Sequence, residues 1–187
     1  MSIRSLQRTS RSTLITATQV LLDTAEEAKD IPQMLPFLEN VETALKSLTK
    51  AMVDQKEILN NFREQSQTVL QAQKELHALL VAFHLSLKVL AIHGNSSALL
   101  ARTQLFPNGT SELTRLSGQR QRMAVLVFSN RLISVHLPEE MLDQAQKLQA
   151  CIRNLSEALS QLAAQQIQKK AGISTLNQME QQLIHHY

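Results

Sequence analysis

A heptad repeat of apolar residues runs from Leu38 to Leu90 and leaves this chain few possible architectures. Thirteen of its sixteen core positions are apolar, and neither Gly nor Pro interrupts it. Apolar side chains that alternate in steps of three and four stay on one side of an α-helix and form a seam for another helix. The repeat predicts one helix over about residues 36–93, bounded by Pro36 and Gly94, and an all-α fold built on it.

Composition agrees with a helical fold and argues against several other classes. The whole chain contains four Gly and four Pro, too few to form the many turns of a β or α/β fold. Hydrophobic residues make up 43%, which argues against wholesale disorder. Aromatic residues make up 3% and Trp is absent, which argues against a surface on which single-stranded bases stack. We therefore expect no nucleic-acid partner.

A second apolar repeat follows Pro138 and predicts another helix. The Pro ring and the carboxylates of Glu139 and Glu140 suit the first turn of a helix, where the dipole is positive. The seam continues to Leu162, and we expect Gly172 to end this helix. Further helices are expected over about residues 5–30, 111–136 and 174–187.

The helix lengths predict an elongated antiparallel helical bundle or coiled coil, formed as one domain over residues 1–187. We expect a base bundle from about 1–66 and 138–187, and a distal hairpin and tip from about 67–137. The segment 123–135 also has the pattern of a buried strand. No second strand is predicted to pair with it, so we interpret it as helix.

The stretch 76–94, "LHALLVAFHLSLKVLAIHG", is apolar on more than one face. As a membrane span it falls short of the roughly 20 apolar residues required, and it continues the heptad register. Two alternatives remain open. Either the connector and helix 111–136 cover this stretch within the chain, or another chain does, since contiguous exposed apolar patches mark interfaces.

Charge distinguishes the same region from its neighbours. Residues 77–137 contain six basic residues and one acid, Glu112, for a net charge of +5, whereas residues 23–76 carry −4. A basic and apolar tip suits an acidic partner helix or an anionic lipid surface. The candidate partner interface consists of Leu76, Leu80, Phe83, Leu87, Leu90, Arg102, Arg115, Arg120 and Arg122.

No constellation of residues with catalytic or metal-binding spacing is found in the sequence. His77 and His84 are seven residues apart, whereas metal-binding pairs on a helix favour three or four. Cys151 is the single Cys, which rules out an intramolecular disulfide and favours a buried thiol in a reducing location. We predict no catalytic, metal or cofactor site, no enzymatic activity, and an intracellular, cytoplasmic protein.

Residues 1–22 carry three arginines and no acid. Arg4, Arg8 and Arg11 fall on one helix face, a pattern that fits an organelle transit peptide or a helix lying on a membrane surface. The plainer interpretation is a helix whose polar face is basic.

Three polar residues, Gln55, Ser66 and Gln73, interrupt the apolar seam of the long helix. Buried polar residues at such positions specify register or pairing. The alternative is that this part of the seam faces solvent.

The first functional hypothesis is a helical interaction, scaffold or adaptor protein, which binds a protein partner or its own copy through the seam and the basic tip. The second is a peripheral binder of anionic membrane surfaces. A third is a signalling-type helical hairpin, whose plan resembles that of bacterial chemoreceptors. The chain lacks their acidic, Ala-rich tip, so nothing further is inferred from that resemblance.

Overall fold

The computed structural model of the chain describes residues 10–25, 31–110, 113 and 118–186. These ranges contain five α-helices and no strand, so the all-α fold is confirmed. Numbered in chain order, the helices are α1 (Arg11–Thr24), α2 (Leu35–Ile92), α3 (Ser96–Leu105), α4 (Gly118–Ser134) and α5 (Leu142–His186). A 3₁₀ turn (Glu139–Met141) precedes α5.

The long helix predicted by the heptad repeat is confirmed with its length of 58 residues. The helix ends at Ile92, two residues before Gly94, whose φ of +87° lies in the left-handed region that favours glycine. The N–H of Gly94 donates to the carbonyl of Ala91 at 3.2 Å, and the N–H of Asn95 donates to Leu90 at 3.0 Å. The Asn95 side chain then accepts the N–H of Ala98 at 3.0 Å and caps α3. A short turn therefore joins α2 to α3.

Two expectations about the C-terminal part are wrong. Helix α5 does not end at Gly172, and no separate helix covers 174–187, because α5 is continuous from Leu142 to His186. A glycine inside a helix costs about 1 kcal/mol relative to alanine, an amount that tertiary packing can offset. Beyond Gly172 the buried residues Leu176 and Leu183 continue the core, and this packing keeps the helix intact.

The N-terminal and connecting helices are described in part. Residues 123–134 are helical within α4, so the interpretation of this segment as helix is confirmed. Ser10 caps α1 by accepting the N–H of Thr13 at 3.3 Å. Residues 5–9 and 26–30 of the first predicted helix, and 111, 112 and 114–117 of the third, lie outside the described residues.

The contacts within the chain divide it into two compact units. The first unit comprises residues 1–62 and 165–187, and the second comprises residues 63–164. Helices α2 and α5 contribute residues to both units.

In the first unit, α1 packs against α2 and α5. The Arg11 side chain donates through Nε to Glu180 Oε2 at 2.8 Å and through Nη2 to Asn177 Oδ1 at 2.6 Å. Arg11 of the predicted basic face is therefore engaged within this unit, while Arg4 and Arg8 lie outside the described residues. The buried core consists of Leu14, Val41, Ala44, Leu45, Leu48, Leu176, Leu183 and Ile184.

In the second unit, one apolar core takes residues from α2, α3, α4 and α5. Ala98 and Ala101 of α3 are fully buried, and their small side chains allow that helix to approach the core closely. The rings of Phe83, Phe106 and Phe128 form a tilted series, with centroids 6.4 Å and 5.4 Å apart. The connector that we expected after residue 94 contains a helix, α3, and α3 and α4 together pack on the apolar part of α2.

Candidate partner-binding surface

The apolar members of the predicted interface lie inside the second unit. Leu76, Leu80, Phe83 and Leu87 are buried in its core, and Leu90 is half-buried against that core. Of the two alternatives left open by the sequence, cover within the chain is the one found for these five residues. A surface for a partner would have to use other side chains of the same helix.

Such side chains are present on the outer face of α2. Leu85, Val89 and Ile92 are 51%, 52% and 72% exposed, and their spacing of four and three residues places them in one stripe. After the turn, Leu99 and Leu100 of α3 are also more than half exposed. We call these five residues the apolar face. The sequence has no Asp or Glu between Glu75 and Glu112.

One helix in the described part of the chain, α2, contains an 18-residue stretch that is long and apolar enough to cross a membrane. Of this stretch, 22% is buried within the chain. Length and composition alone are weak evidence, because a core helix of a soluble protein passes the same test.

Basic side chains lie in the same unit. Lys88 on α2 is exposed and Arg102 on α3 is half-buried, while Arg120 and Arg131 on α4 are exposed. Arg115 lies outside the described residues, as does the side chain of Arg122. The structure therefore describes Arg102 and Arg120 among the four arginines of the predicted interface.

Arg102 bonds to an imidazole that itself lies against a phenyl ring. Its Nε donates to His84 Nε2 at 3.3 Å, and the His84 ring lies 5.0 Å from the Phe106 ring, centroid to centroid. Burial lowers the pKa of His84, and the charges of Arg102 and Lys88 lower it further. The neutral imidazole is the form that can accept from Arg102. His84 and Lys88 are one turn apart on α2, so the three groups form a basic cluster.

The pKa of His84 leads to a prediction about stability and pH. Because folding lowers this pKa, the unfolded chain binds the proton more readily, and stability falls as pH drops below the ordinary value of 6.5. We expect His84→Gln to make the free energy of unfolding depend less on pH between neutral and mildly acidic conditions. Urea unfolding of both proteins at several pH values measures this. An unchanged dependence would contradict it.

The polar positions in the seam have different environments. Gln73 Nε2 donates to Oε1 of the buried Gln121 at 2.6 Å. Gln65, which is beside the seam position Ser66 in the sequence, donates through Nε2 to the carbonyl of Ala158 at 3.2 Å. Ser66 is half-buried. Gln55 is buried, and neither its Nε2 nor its Oε1 has a hydrogen-bond partner among the residues that the structure describes. The sequence analysis missed Gln121, because nothing in a helical polar pattern distinguishes an inward Gln from an outward one.

The described residues contain no group of three or more His, Cys, Asp or Glu that could hold a metal ion. Cys151 is buried, and its pKa is raised by burial and then by the charge of Glu75. A thiol with a raised pKa is mostly protonated at neutral pH and is a poor nucleophile. The expectation of a protein without catalytic, cofactor or metal sites stays a prediction.

Comparison of the chain with protein-family models, with curated proteins and with solved structures finds no match.

Proposed function

We propose that this protein is a non-enzymatic interaction protein, which binds a partner through the apolar face of its second unit. The observation that carries the proposal is the exposure of Leu85, Val89 and Ile92 on one stripe of α2, while the seam of the same helix is buried. Contiguous exposed apolar side chains are characteristic of interaction sites. The expected location is intracellular.

The chemistry around the apolar face favours one kind of partner, an amphipathic helix with acidic flanks. A helix of this kind would lay its apolar stripe along α2, as helix-in-groove partners do. Lys88 is one turn from both Leu85 and Ile92, and Arg102 bonds to His84, so carboxylates at the edge of the partner helix would meet positive charge. No acidic residue lies between Glu75 and Glu112 in the sequence, so neither cation has a carboxylate within one turn of it on its own helix.

The test uses a designed peptide helix with a Leu stripe and flanking Glu residues as the probe. Wild type should bind it, and Leu85→Glu/Val89→Glu should weaken binding at least about tenfold, because the change removes apolar contacts and adds repulsion. Isothermal titration calorimetry measures the dissociation constant. Val53→Glu/Leu70→Glu is the matched control, since Val53 and Leu70 are 63% and 52% exposed on the same helix.

Two outcomes would contradict the proposal. One is equal binding of the peptide by the control and the Leu85→Glu/Val89→Glu variant. The other is equal binding by wild type of a peptide in which Lys replaces the flanking Glu residues, since this would remove the electrostatic part of the argument.

The alternative function is binding to an anionic membrane surface. The apolar stretch of α2, of which 22% is buried within the chain, and the basic side chains of the same unit favour it. Sedimentation with vesicles of phosphatidylserine and phosphatidylcholine separates the two functions. Salt-sensitive binding to the anionic vesicles, without binding to the peptide, would replace the first proposal with this one.

A further inference from the structure

In the first unit, α2 and α5 form a pair whose two flanks differ. Helix α1 covers one flank, where Arg11 bonds to Asn177 and Glu180 of α5. The other flank is an open groove of 640 Å³. At about 100° per residue, Ala171 and Thr175, which line the groove, lie on the opposite side of α5 from Asn177 and Glu180. The groove is therefore not the site that α1 occupies.

Gln55 lines this groove and is left unsatisfied. Its side chain is 6% exposed, and in the described part of the chain neither its amide nitrogen nor its amide oxygen has a hydrogen-bond partner. The amide lies against Gly172, where an added Cβ would overlap Gln55 Oε1 and approach Cδ to 3.1 Å. Buried polar groups are almost always paired in folded proteins. In the second unit, Gln73 meets this requirement by pairing with Gln121.

The rest of the groove suits the close approach of another helix. Ala51, Ala171 and Gly172 present small side chains or none, which lets two helices come near each other. Lys50 and Asp54 also line the groove, and their charges cancel, so two such surfaces would not repel each other. Gln168 lines the same groove and is exposed, so its carboxamide group is accessible to another molecule at the edge of the groove.

We propose that this groove is a two-fold interface between two copies of the chain. In a two-fold interface the same patch is used on both sides, so a patch must complement itself. This groove meets that condition: it contains an unsatisfied amide, a carboxamide on its edge, small residues, and one charge of each sign. On association, Gln55 turns toward the groove that its side chain lines, and its amide pairs with Gln168 of the second copy.

The test is the mass of the full chain in solution, measured by light scattering and sedimentation over a range of concentrations. Wild type is expected to dimerise, and Ala171→Glu to be monomeric, because it places a charge in the centre of the interface. Gln168→Ala, a milder change, should raise the dimer dissociation constant about tenfold, the effect of one or two lost hydrogen bonds. Gln181→Glu is the control, since Gln181 is exposed on α5 and does not line the groove.

Circular dichroism shows whether each variant is folded. A wild type that is monomeric at every concentration overturns the proposal. A dimer that survives both Ala171→Glu and Gln168→Ala also overturns it. Loss of the dimer in Leu85→Glu/Val89→Glu, with the groove variants still dimeric, would place self-association on the apolar face instead.

Discussion

Leu80→Glu is expected to lower the free energy of unfolding by more than about 4 kcal/mol, and so to unfold the second unit. Leu80 is 0% exposed and lies in the core of that unit. A carboxylate there would lose its hydration without gaining a partner. Because the free energy of unfolding of folded domains is about 5–15 kcal/mol in total, one such change removes a large part of it. Urea unfolding followed by circular dichroism measures the effect.

Leu85→Glu is the matched control for this experiment. The residue lies on the same helix and has the same chemistry, but it is half exposed, so we expect a change within about 0.5 kcal/mol. Similar losses in the two variants would contradict the assignment of α2 to one buried and one exposed face. A folded Leu80→Glu protein would mean that the seam is not core.

The second large effect is expected in the first unit. Leu183→Ala should cost about 2–5 kcal/mol, the range for deleting buried methyl groups from a core. Leu183 is fully buried, although it lies near the end of the chain, and it packs with Leu14 and Val41 in the same cluster. Chemical denaturation measures the loss.

The exposed neighbour Gln182 supplies the control, since Gln182→Ala leaves this core untouched and should change stability little. A loss of under about 1 kcal/mol for Leu183→Ala would show that the last turns of α5 are not packed as the structure has them. The result therefore also tests the continuity of α5 beyond Gly172.

The sequence was most informative where a pattern repeats. Eight heptads without Gly or Pro made α2 predictable nearly to its ends, and Gly94 marked the end through its backbone freedom. Gly172 misled for a related reason. A glycine ends a helix only when nothing beyond it holds the helix together, and the packing of Leu176 and Leu183 was not visible in a local pattern.

The candidate surface could be predicted only in its position along the chain. Periodicity predicts that Leu80 and Leu87 share a face, but it does not say whether the chain or another molecule covers that face. Ala98 and Ala101 decide the matter, because they bring α3 onto the seam. The exposed stripe of Leu85 and Val89 became a candidate only after the seam had been covered. Whether the Gln55 amide is hydrogen-bonded could not be predicted either, because its hydrogen bonds depend on which side chain lies opposite it in the fold.

The position of Cys151 means that the reaction rate of its thiol reports how often the second unit opens. As the single thiol, buried in the second unit and with a raised pKa, it is shielded from alkylating reagents while that unit is closed. Reaction requires an opening that exposes the sulfur and restores the ordinary acidity of the thiol. The rate of modification therefore follows the opening of one unit in the unmodified protein, with no probe introduced.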